Sequence, residues 1–118
     1  MKLNFTKPTV TITNKDFKKG DIAEGEFSIT LNILSVRENM EYFEKYDMEG
    51  ERANIVAIDY MKSIFIDTVI SWDKFENANG EKMECNSENK EILFENSTEF
   101  CQKIVEKSMS KATINKKK

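Results

Sequence analysis

The sequence contains no histidine, two cysteines, two arginines, one proline and four glycines among its 118 residues. Each scarcity excludes a kind of chemistry. Without histidine there is no Ser-His-Asp or Cys-His arrangement, no imidazole base and no imidazole ligand for zinc. Two cysteines are too few for a tetrahedral thiolate site and form at most one disulfide. Four glycines, with no G-x-x-x-x-G-K and no G-x-G-x-x-G spacing, do not build a phosphate cradle. Two arginines beside sixteen lysines disfavour bidentate reading of phosphate or guanine. No apolar run approaches the ~20 residues of a membrane span, and the opening MKLNFTKPTV lacks the apolar core of a signal peptide. The expectation is a cytoplasmic protein with reduced thiols, in which Cys85 and Cys101 are buried or half-buried small side chains.

What is present suits a small α+β domain. Apolar residues make up 39% of the chain and charged residues 33%. The net charge of −3 conceals an asymmetry. Residues 1–110 carry 14 basic against 21 acidic side chains, a net of −7, and four lysines follow from Lys111 onward. Eight acids and three lysines fall between Asp73 and Glu99. An acidic body argues against nonspecific nucleic-acid binding, which needs a basic surface to displace counterions. Residues 1–112 read as one domain, and 113–118 as a disordered basic tail.

The first third of the chain has strand periodicity. Thr9–Thr13 alternates β-branched residues, and Phe27, Ile29, Leu31 and Ile33 alternate with Ser28, Thr30 and Asn32. The polar stretch Asn14–Gly25 would connect them as an antiparallel pair. Ser35-Val-Arg-Glu38 matches a capping box and predicts a helix from Val36 to Tyr46. Its apolar side holds Val36, Met40, Phe43 and Tyr46. A second helix is predicted over Glu51–Ser71, with Ala53, Ala57, Tyr60, Met61, Ile64, Phe65 and Thr68 on its core-facing arc. Ile55, Ile66 and Ile70 intrude upon the polar side, so this helix is either buried all round or offers a second seam to a partner. A strand reading of Ser63–Ile70 exists because the run is rich in β-branched residues, but the longer periodicity favours helix.

Beyond Trp72, Asn79-Gly80 suits a tight turn. Asn86 or Ser87 would cap a brief helix over Glu88–Phe94. Asn96-Ser-Thr-Glu99 offers another capping box before a last helix, Thr98–Lys111, with Phe100, Cys101, Ile104, Val105 and Ser108 inward. The predicted architecture is α+β, with N-terminal antiparallel strands packed against a C-terminal group of three to four helices. The twelve positions from Asp73 to Glu84 match an EF-hand loop in length only. Phe75 replaces the ligand at its third position and Ala78 the glycine at its sixth. No catalytic, metal or cofactor residues emerge. The residues suited to a partner are Tyr42, Tyr46, Ile55, Ile66, Ile70 and Trp72, since aromatics at the edge of an amphipathic arc can pack a ring and present a polar tip.

The segment Ser71–Ala112 resembles the C-terminal half of small tail assembly chaperones of long-tailed bacteriophages. The residues that carry the likeness are Ile70-Ser-Trp72-Asp73, Asn79-Gly80, Ser87-Glu88-Asn89-Lys90, Ile92-Leu93, Phe100 and Ile104. They follow the order of a helix running into Trp, an Asp-containing loop with a turn glycine, a short strand, a Ser/Thr-led helix and a last amphipathic helix. The resemblance implies a nonenzymatic protein that shields the aggregation-prone tape-measure protein and helps bring tail-tube subunits to it. It offers no catalytic residues to carry over. No cofactor is expected, the composition argues against a membrane and against direct nucleic-acid contact, and a homo-oligomer stays open. Two rival expectations fit the same composition: a phage-encoded acidic inhibitor of a host defence nuclease, and a structural tail component.

Overall fold

The computed structural model describes residues 8–18, 25–46 and 53–116. Strand β1 (Thr9–Thr13) leads through a single 3-10 turn (Asn14–Asp16) toward β2 (Ser28–Asn32). Helices α1 (Val36–Lys45) and α2 (Ala53–Thr68) follow, then β3 (Val69–Asp73), α3 (Ser87–Asn96) and α4 (Thr98–Lys116). The class is α+β, as the sequence predicts.

The three strands form one antiparallel sheet in the order β1-β2-β3. Val10 stands opposite Leu31, Ile12 opposite Ile29, and Ile29 opposite Trp72, so the period-2 apolar face of each strand lies on the same side. Val10, Ile12, Phe27, Ile29, Leu31 and Val69 are buried on that face. The other face is polar, and the Thr11 and Thr30 hydroxyls meet across it at 3.0 Å. Beyond β1, Thr13 caps the 3-10 turn reciprocally: its hydroxyl accepts from the Lys15 amide and its own amide donates to Asp16 at 2.8 Å.

The largest departure from the predicted elements is at the end of α2. The helix was expected to continue to Ser71; it stops at Thr68, and Val69–Asp73 becomes the third strand. The physical reason is tertiary. β2 presents an open edge, and β3 supplies it with a ladder from Ser28↔Asp73 to Leu31↔Val69, with a register shift between Thr30 and Leu31. β-branched Val69 and Ile70 fit that pleat better than a helix turn. The buried Thr68 hydroxyl donates back to the Ile64 carbonyl at 2.6 Å and closes the last helical turn.

Of the inward positions predicted for α2 and α4, Ile64, Phe65, Thr68, Cys101, Ile104 and Val105 are buried, and Ala57, Tyr60, Met61, Phe100 and Ser108 are half-buried. Ile64 and Phe65 of α2, Phe94 of α3, and Cys101, Ile104 and Val105 of α4 are buried and complete the core against the sheet. Phe65 and Phe94 touch ring to ring at 6.0 Å. Asn86 is the cap of α3, its side chain accepting from the Asn89 amide at 2.8 Å. Asn96 does not cap the last helix as expected. Asn96 is the last residue of α3, and its side-chain amide donates to the Ile92 carbonyl at 2.8 Å. α4 continues beyond the predicted Lys111 to Lys116; the remainder of the basic tail, residues 117–118, lies outside the described residues. Lys111 itself reaches across to β1, donating to the Thr11 carbonyl at 2.9 Å and pairing with Asp16 at 3.1 Å.

Candidate protein-binding surface

Helix α1 differs from the other three in having no buried residue. Its start is well formed. Ser35 accepts from the Glu38 amide at 3.1 Å while the Glu38 carboxylate accepts from the Ser35 amide at 3.0 Å, the reciprocal box expected from the sequence. Its attachment runs through two tyrosines. Tyr42 donates its hydroxyl to Asp67, and the Tyr46 hydroxyl bonds that of Ser63, both on α2. The two rings stand edge-on to Tyr60, at 6.5 and 6.0 Å between centroids. Partial burial and, next, the Asp67 carboxylate push the Tyr42 phenol above its ordinary pKa of 10.0, so it remains a neutral donor at physiological pH.

With Tyr42 and Tyr46 turned toward α2, the apolar positions of α1 face outward. Val36 is 73% exposed, and Met40 and Phe43 are each 56% exposed. Spacings of four and three place these side chains in one stripe along the helix. The stripe and Tyr60 wall an open groove of about 390 Å³, with Asn39 and Glu44 at its rims. A second cleft of about 210 Å³ lies at the Val36 end, between Val10, Ile33, Leu34, Ile64 and Met109.

The other residues expected to meet a partner are dispersed. Trp72 is half-buried on β3, donates to the Met83 carbonyl at 2.8 Å and packs on Phe75 at 5.0 Å. Those contacts occupy it as a packing residue between the sheet and the Met83 segment. Ile66 is half-buried against the core, and Ile70 is 47% exposed on β3. Ile55 belongs to α2, but its side chain lies outside the described residues. Among the described residues no ring contact joins the Tyr42–Tyr46 pair to Trp72.

The chain matches no family model, no curated protein and no solved structure.

The eight acids between Asp73 and Glu99 are all exposed. Glu91 and Glu95 share Lys62, and Glu99 lies 3.5 Å from Lys103 on the next turn. Both thiols are free, Cys85 half-buried and Cys101 buried, as expected. Burial pushes the Cys101 thiol up to about 12, which makes it a poor nucleophile. Among the described residues no group of three or more acids and cysteines is placed to hold a metal ion. Also among them, no helix is long and apolar enough to cross a membrane.

The sequence singled out Tyr42 and Tyr46 but not Val36, Met40 and Phe43, which the structure leaves exposed. An apolar stripe reads identically whether it faces a core or a partner. The one signal that separates the two is which side the tyrosine hydroxyls find partners on, and that needs Asp67 and Ser63 in place.

Proposed function

We propose that this chain is a nonenzymatic binding protein of the tail-assembly chaperone kind, taking an apolar helical segment of a client protein against α1. One observation carries the reading: a capped helix with no buried residue, held to its own domain by tyrosines, turns Val36, Met40 and Phe43 to solvent. A contiguous exposed apolar stripe rimmed by polar side chains is what an amphipathic client helix fits, with side chains at i, i+3 and i+4 entering the groove. Shielding such segments is the task the resemblance implies for a partner of a tape-measure protein. The test is co-expression with a tape-measure protein from the same genome. The proposal expects that protein to move into the soluble fraction; if it stays insoluble, the chaperone reading fails.

A second reading has its own observation. Eight exposed acids between Asp73 and Glu99 would complement a basic nucleic-acid channel, as an inhibitor of a host defence nuclease requires. Stoichiometric recovery of a nuclease from host lysate, with no tail protein, would favour it.

A further inference from the structure

We infer that two copies of this chain pair through their α1 helices, antiparallel about a two-fold axis near Met40. The argument is independent of the client reading and rests on the charges beside the stripe. Arg37 and Glu44 are seven residues apart, two helical turns, so they lie on one flank of α1 at opposite ends. Tyr42 and Tyr46 occupy the other flank, against α2. Both Arg37 and Glu44 are exposed, and neither has an ion-pair partner among the described residues. When a second α1 runs antiparallel, Val36 faces Phe43 of the other copy, Met40 faces Met40, and Arg37 faces Glu44. These pairings share one register to within one residue, about 1.5 Å of rise. The two-fold axis then makes the Arg37–Glu44 pair twice. A parallel two-fold arrangement would instead set the Arg37–Glu44 flank of one copy against the Tyr42–Tyr46 flank of the other, and neither ion pair would form. The self-complementarity is thus specific to the antiparallel register.

The interface is small. Three exposed apolar side chains and the groove wall offer roughly 350 Å² per copy, about 700 Å² over the two copies, below the total of about 1,200 Å² usual for stable complexes. The dimer is correspondingly weak, with a dissociation constant on the order of 100 μM. Self-pairing would cover the apolar stripe when nothing else does.

Sedimentation velocity between 10 μM and 1 mM tests this directly. The weight-average mass should rise with concentration from 13.7 kDa toward twice that value. Arg37→Glu and Glu44→Arg each turn two attractive pairs into two repulsive ones, and each should weaken association roughly tenfold. The double variant R37E/E44R restores opposite charges in the same places and should return association to near the wild-type level. Both side chains are exposed, so the variants should keep the native far-UV circular dichroism spectrum. A wild-type protein that stays monomeric at 1 mM overturns the inference. So does a dimer indifferent to both reversals, or a double variant no better than the single ones. The client test separates from this one: a monomer that solubilises its client removes the pairing and leaves the function standing, and a dimer that fails to solubilise it does the reverse.

Discussion

Phe43 and Phe94 are the same side chain in opposite environments, and truncating each to alanine tests where the core ends. Phe94 is 1% exposed and packs against Phe65; Phe43 is 56% exposed on α1. Phe94→Ala removes a fully buried ring and leaves a cavity that the sheet and helices close only in part, at a cost of about 4 kcal/mol. That is a large share of the ~5–15 kcal/mol that holds a domain of this size. Phe43→Ala opens no cavity. Less than half of its ring surface is shielded, worth at most ~2 kcal/mol at about 25 cal/mol per Å². The extended-chain reference exaggerates that figure, and alanine regains about 0.5 kcal/mol of helix propensity. The net loss should be about 1 kcal/mol or less. Urea unfolding at low micromolar protein, where self-association is negligible, reads both values, with an unchanged slope required for the comparison. Similar losses at the two positions would mean that the α1 stripe is core, and the argument for a binding surface would collapse.

Ser35→Ala removes the hydroxyl that accepts from the Glu38 amide, while the residue-35 amide can still donate to the Glu38 carboxylate; it should cost about 1 kcal/mol in the same assay, with helix loss visible by circular dichroism. Asp16 is partly desolvated, which acts to raise its pKa, but the Thr13 amide and Lys111 outweigh this and hold its carboxyl below the ordinary 3.8. A depressed carboxylate stabilises the fold above its unfolded pKa and loses that contribution as pH falls through the folded value. The wild type should therefore lose stability below about pH 4 more steeply than Asp16→Asn, and parallel acid limbs would refute the linkage. Thiol labelling at pH 8 should modify Cys85 well before Cys101, since burial raises both thiols but Cys101 is the more deeply enclosed. Equal rates would show that α4 opens readily from the sheet.

The parts of the fold legible from sequence are those in which local chemistry and tertiary packing agree. Phe27, Ile29 and Leu31 alternate because β2 is the central strand with one buried face. Ser35 and Glu38 announce α1 because both halves of the box lie within four residues. The end of α2 was not legible, because Val69 and Ile70 continue the helical spacing of Ile64 and Phe65. Only the open edge of β2, about forty residues earlier in the chain, turns them into a strand. Asn96 failed as a cap for a related reason: α3 runs two residues past its expected end and takes Asn96 into its last turn. The candidate surface was half legible. Tyr42 and Tyr46 mark the helix concerned, but they anchor it; Val36, Met40 and Phe43 are the exposed face.

The central claim is that this face receives a client, and one comparison tests it most directly. A tape-measure protein from the same genome is co-expressed with the wild type and with Met40→Asp, which sets a charge in the middle of the stripe at an exposed position. The account predicts that the wild type brings the client into the soluble fraction and that Met40→Asp, folded by circular dichroism, leaves it in the pellet. Equal solubilisation by both proteins would place the binding elsewhere and contradict the claim.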